Sequence, residues 1–138
     1  MDVDVVNFGM RLAVGTLFLA SGAAKLRVGP SRVMQSVGAY KIVSARWAVR
    51  IGRVLCPAEI LVGGALLAGL TTTIASLSGI GLLSIFNVAI GAALLKGRRN
   101  DCGCGIGGGP ISRRLLVRNS GLIALLIVCA VQASSRSN

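Results

Sequence analysis

The chain has 138 residues, of which 54% are hydrophobic, 4% aromatic and 19 glycine, a profile too apolar for an ordinary soluble domain and suited to helices packed closely in a bilayer. Its 15 Lys and Arg against 4 Asp and Glu give a formal net charge of +11. These cations occupy the gaps between hydrophobic runs instead of spreading over a soluble face, which argues against a nucleic-acid module and for attraction to anionic lipid headgroups. One domain spanning residues 1–138 is expected.

The first hydrophobic run, about residues 5–24, reaches ~30 Å as a helix, enough to cross the hydrocarbon core. It follows Asp2 and Asp4 with no basic stretch before it and no cleavage site followed by a soluble domain, so it reads as a span and not as a removable signal peptide. Arg11 lies one or two turns from its outer end, where a long side chain can snorkel to the interface. Mixed residues up to Arg50 follow. Among them Val33, Val37, Tyr40 and Val43 recur at helical spacing, which predicts a short amphipathic helix on the membrane surface between the first two spans.

The second span is placed at about 50–70 and carries Cys56, Pro57 and Glu59; a proline there predicts a kink or a fresh helix start near Leu55. Thr71-Thr72-Thr73 links it tightly to the third span, about 74–95, interrupted by Asn87. The fourth, about 115–131, opens with Arg118-Asn119. The fold class expected is therefore all-α: a polytopic membrane protein with a bundle of four transmembrane helices. Small residues four apart, such as Gly64 with Ala68, Ala65 with Gly69, Ala20 with Ala24 and Ala89 with Ala93, offer faces for close helix packing.

Four spans put both termini on one side and two connections on the other. Those two connections and the span ends beside them hold Lys25, Arg27, Arg32, Lys41, Arg46, Arg50, Arg53, Lys96, Arg98, Arg99, Arg113, Arg114 and Arg118, leaving only Arg11 and Arg136 for the opposite side. By the positive-inside rule the termini face outward and the connection before span four faces the cytoplasm.

That connection carries Asp101-Cys102-Gly103-Cys104-Gly105, two thiols separated by one glycine and flanked by Arg98, Arg99, Arg113 and Arg114. A thiolate attacks a disulfide and a second thiol close by resolves the mixed disulfide, so the pair fits redox exchange. The arginines and the amino end of span four favour thiolate over thiol, and a bridge closing over a single glycine is tight and easily reduced. An unreactive pair and two-thiolate capture of a soft ion such as Cu(I) are the other readings. With no histidine in the chain, a four-ligand zinc site cannot be assembled from this loop alone. The match of residues 103–108 to G-x-G-x-x-G is accidental, since no strand precedes it. Cys129 lies some ~25 Å or more from the loop along a straight helix and reads as a small hydrophobe facing core or lipid.

Depth counting brings Glu59, Asn87, Arg118 and Asn119 to one level within ~15 Å of the same surface, with Cys56 one turn nearer to it. Ionisable groups at such depth face the bundle interior and are paired. Glu59 is either half of an ion pair with Lys25 or Arg118, or a proton acceptor in the wall of a small-molecule pocket. Lys25, Cys56, Glu59, Asn87, Arg118 and Asn119 form the candidate binding layer, with Cys102 and Cys104 as the candidate catalytic pair; no metal site is assigned.

Phe18-Leu19-Ala20-Ser21-Gly22-Ala23-Ala24-Lys25-Leu26 ends the first span, Pro57-Ala58-Glu59 lies in the second, and Asp101-Cys102-Gly103-Cys104-Gly105 precedes Leu116-Val117-Arg118-Asn119 in the fourth. In that order and spacing they resemble the MauE family of the DoxX-like four-helix membrane proteins, over nearly the whole chain. An aromatic residue commonly follows the second cysteine in that family, where this chain has Gly105-Ile106. The resemblance implies a bacterial inner-membrane protein engaged in thiol or disulfide chemistry, linked to maturation of a disulfide-rich dehydrogenase subunit alongside a thioredoxin-like partner. It also makes a quinone a candidate electron partner, because related DoxX-type proteins are associated with quinone-linked sulfur oxidation. Disulfide formation for secreted proteins belongs outside the cytoplasm, against the charge count, and the expectation follows the charges. The functional expectation is a membrane thiol-disulfide redox or electron-transfer protein. The alternative is a non-catalytic subunit that docks to a larger membrane complex and stabilises it.

Overall fold

The computed structural model describes residues 2–97 and 111–137. The Cys102–Cys104 pair lies outside the described residues. Five helices follow one another: α1 (Val3–Val28), α2 (Pro30–Ala39), α3 (Ala45–Ala68), α4 (Thr72–Leu95) and α5 (Arg113–Ser137). All but α2 are long and apolar enough to cross a membrane, so the all-α four-span architecture holds. Each long helix begins before its hydrophobic run, because hydrogen bonding continues into the polar flanks where water or headgroups replace lipid, while α3 stops at Ala68, short of the expected residue 70.

The four long helices run antiparallel to their neighbours. At one end Asn7 Nδ2 donates to Gln132 Oε1 at 2.6 Å, joining the start of α1 to the end of α5, and Arg136 pairs with Asp4 beside it. Toward the opposite end Asn87 Nδ2 of α4 donates to Ser120 Oγ of α5 at 3.2 Å. Helix α1 packs on α3 and α5, while α4 packs on α5 and α3. The main core sits among them, with Val14 and Phe18 of α1, Val62 and Leu66 of α3, Ala75 and Leu83 of α4 and Leu126 of α5.

Glycine sets the α1–α3 distance. A Cβ on Gly63 would lie 2.8 Å from the Gly15 carbonyl oxygen, and one on Gly22 would lie 2.8 Å from Ile60 Cγ1 and 3.3 Å from the Cys56 carbonyl oxygen. Gly15 and Gly22 are two turns apart on one face of α1, and Gly63 and Cys56 are two turns apart on α3, so the helices touch backbone to backbone along a shared seam. Gly64, which the spacing of small residues assigned to a packing face, has nothing within 4 Å. The seam runs one residue away, a rotation of about 100° around the helix.

The turn at 69–71 needs left-handed backbone. Gly69 closes α3 at φ 72°, and Thr71 follows at φ 45°. Arg11 Nε donates to the Leu66 carbonyl at 3.0 Å, so the arginine near the outer end of α1 also satisfies a carbonyl in the last turn of α3. The fresh helix start expected near Leu55 does not occur. α3 passes through Pro57 as one helix, and the carbonyl deprived of a donor is that of Arg53, four residues earlier.

α2 forms as its periodicity predicts, but its apolar side faces protein. Val33 is buried with Leu55 and Cys56 of α3, and Tyr40, just past its end, is buried with Ile90, Ala93 and Ile111. The reason is Gly52 of α3, where an added Cβ would lie 2.8 Å from Met34 Cγ: its bare backbone admits α2.

Candidate functional site

Gly22 brings α1 close to α3 one turn before Lys25, and this places Lys25 opposite Glu59. The Lys25 ammonium donates to Glu59 Oε1 at 2.7 Å and Oε2 at 2.8 Å, and to Ser21 Oγ at 2.8 Å. Both charged side chains are 3% exposed. Ser21 and Lys25 are one helical turn apart, so the lysine is held by its own helix as well as by α3. The Phe86 ring of α4 covers the ammonium, its centroid 5.6 Å from Nζ. Such a pair is closed: every lysine donor is used, both carboxylate oxygens are occupied and an aromatic face excludes lipid and water.

Cys56 is buried one turn before Glu59 on α3, and a Cβ on Gly22 of α1 would meet both, the Cys56 carbonyl oxygen at 3.3 Å and Glu59 Cβ at 3.4 Å. Lys25, Cys56 and Glu59 therefore form one cluster. Asn87 belongs to a second, in which its amide joins α4 to α5 through Ser120 while its Oδ1 is buried with no hydrogen-bond partner among the described residues. Asn119 is 1% exposed and accepts a long 3.4 Å contact from its neighbour Arg118, whose own side chain is exposed. Of the two partners that the sequence offered Glu59, the fold selects Lys25. Cys129 is fully buried in the later part of α5, toward the opposite end of the bundle, and faces core instead of lipid.

Two features of this region went unread in the sequence. Ser21 could have been found, since a hydroxyl four residues before a buried lysine is positioned to accept from it. Phe86 could not, because which α4 residue faces α1 depends on how the helices rotate against one another. Beyond Phe86 lies a cavity of about 370 Å³ between the end of α2, the segment after it, α3 and α4, lined by residues that include Val37, Ile51, Leu55, Ile85 and Phe86.

Four apolar helices of bilayer-spanning length, closed around an ion pair that could not be left unpaired in lipid, define a multi-pass integral membrane protein. The lineage is narrower than that class. The model of the family described as methylamine utilisation protein MauE matches residues 3–132, and the chain belongs to that family. Neither the curated proteins nor the solved structures searched gave a match.

Proposed function

We propose that this protein is a thiol-disulfide redox or electron-transfer component of the bacterial inner membrane, with Cys102 and Cys104 as its reacting pair and one four-helix domain as their scaffold. The observation that supports the reading most is family membership over a match that includes the Cys-Gly-Cys segment. Bundle topology adds to it, because the chain leaves α4 and enters α5 at the end toward which Lys25 lies, three residues before the close of α1.

In the reducing direction, one loop thiolate attacks the disulfide of a thioredoxin-like partner. A new S–S bond forms, the partner's S–S bond breaks, and the departing sulfur leaves as a thiolate that takes up a proton. The second loop thiolate then attacks the mixed disulfide and releases the partner's other thiolate. Two electrons have passed to the partner, now a dithiol, and the loop pair is left as a disulfide; the reverse sequence oxidises a partner dithiol. Lys25 and Glu59 hold α1 to α3, and Cys56, Asn87, Arg118 and Asn119 belong to the half of the bundle in which α4 ends and α5 begins.

A quinone acceptor fits the ion pair poorly. Lys25 has no donor left for a quinone carbonyl, and both charged side chains are sealed. The electrons are accordingly assigned to thiols, and no step is routed through a quinone. Orientation follows the charges, with the cysteine loop on the cytoplasmic side.

The test is trapping. Cys104→Ser or Cys102→Ser should leave a mixed disulfide with the thiol partner that survives denaturing electrophoresis and disappears on reduction. The double serine variant should form none and lose activity while it still folds. Full activity in the double variant, with stoichiometric partners still co-purifying, would instead establish the docking-subunit role. Labelling with a membrane-impermeant thiol reagent in inverted vesicles but not in intact cells is the expected sidedness, and labelling from outside would overturn it.

A further inference from the structure

The cavity beyond Phe86 is lined by hydrocarbon apart from Tyr40 and Ser84, and its walls are the end of α2, the segment that follows it, α3 and α4. An apolar space of about 370 Å³ holds no stable water and is filled by hydrocarbon when it opens to a bilayer. The chain around its mouth is basic. Lys41 stands between two lining residues, Tyr40 and Ile42, in a left-handed turn at φ 49°. Arg50 directly precedes the lining residue Ile51, and Arg46 lies one turn before Arg50 on α3. All three side chains are exposed.

No carboxylate among the described residues neutralises these three. Glu59 is consumed by Lys25, while Asp4 pairs with Arg136 at the far end of the bundle, where Asp2 also lies. Trp47 is exposed one turn before Ile51, with the Arg50 guanidinium 5.1 Å from its ring centroid. An indole beside an arginine is an arrangement that settles at headgroup depth. A hydrocarbon-lined space and exposed cations on adjacent stretches of chain, with no carboxylate partner among the described residues, match one class of molecule with an acyl chain and a negative headgroup.

We propose that the cavity between α2, α3 and α4 is an anionic phospholipid site, with an acyl chain lying against Leu55, Ile85 and Phe86 and the phosphate headgroup held by Lys41, Arg46 and Arg50. The site is independent of the redox reading. An occupant bears on Phe86, the residue that caps the Lys25 ammonium, so the lipid also supports the covered ion pair.

Trp47 is the chain's single tryptophan and reports directly on the site. The purified protein is reconstituted into phosphatidylcholine bilayers, and quenching of Trp47 is compared for phosphatidylglycerol and phosphatidylcholine with brominated acyl chains. The expected result is a preference for the anionic lipid of about fivefold or more, the factor that a single well-placed cation supplies at a membrane surface. Replacing Lys41, Arg46 and Arg50 together by Gln should abolish it. Replacing Arg27, Arg32 and Arg113 by Gln removes the same charge next to no lining residue and should leave the preference in place. Ser84→Phe and Val88→Phe, both at exposed lining positions, should abolish it with every cation retained. Equal quenching by the two lipids overturns the proposal. So does a preference that survives both phenylalanine variants, which would mean attraction to the surface without entry, or one lost equally in the control triple. Displacement by millimolar inorganic phosphate would replace the lipid with a free anion and overturn it too.

Discussion

Breaking the Lys25–Glu59 pair from one side is the most informative perturbation of this bundle. Both side chains are 3% exposed and meet at 2.7 Å, so Glu59→Leu leaves an ammonium with only Ser21 and the Phe86 face for company. Stranding one member of a buried pair costs about 3–5 kcal/mol, whereas replacing both by apolar residues of similar size is often neutral or stabilising. Glu59→Leu and Lys25→Met should each lower stability by that amount, which is ~2.2–3.7 powers of ten in the unfolding equilibrium. The double variant should recover most of the loss, giving a coupling of about 5 kcal/mol or more, close to the sum of the two single losses. The assay is reversible unfolding in mixed detergent micelles, read by circular dichroism for the four members of the cycle. Additive single losses, with a double variant worse than either, would refute the argument that the two charges exist in the fold mainly for one another.

Three further outcomes follow from other contacts. Gly63→Leu drives side-chain atoms into the Gly15 carbonyl and should cost about 1–3 kcal/mol or separate α1 from α3, whereas Gly64→Ala, in open space, should stay within about 0.5 kcal/mol in the same unfolding assay. Arg11→Met removes the donor to the Leu66 carbonyl and should cost about 1 kcal/mol, together with faster amide exchange in the last turn of α3. Asn87→Leu replaces a side chain whose Oδ1 is buried with no partner among the described residues; it should be within about 1 kcal/mol of neutral or stabilising, and a larger loss would show that the Ser120 contact carries more than an ordinary neutral hydrogen bond.

Helix existence was legible wherever a property of the local segment decides it. Residues 74–95 must span because lipid offers no partner for their backbone groups and the helix satisfies them internally. Rotation was not legible. α4 is apolar nearly all round, so nothing in its composition distinguishes Phe86, which covers Lys25, from Ile85 or Val88, which are largely exposed. Small-residue spacing was similarly ambiguous: Gly63 and Gly64 are equivalent as letters, yet only Gly63 meets another helix. For Glu59 the sequence narrowed the partner to Lys25 or Arg118 by depth, a one-dimensional measure, and the choice between them needed the angle of each helix about its axis.

From the amino acids alone came the four spans, the all-α class, the concentration of positive charge on one side and the layer in which a buried carboxylate had to find a cation. These depend on length, apolar content and order along the chain, which a bilayer reads segment by segment. Tertiary structure decided which cation it was, where bare glycine backbone lets α1 touch α3 and α2 fold onto α3, how Arg11 closes a neighbouring helix, and that an apolar cavity opens beside three cations that no carboxylate among the described residues neutralises. Each of these is a contact between helices distant in sequence, set by how their surfaces fit, and a single strand of letters carries no coordinate for that fit.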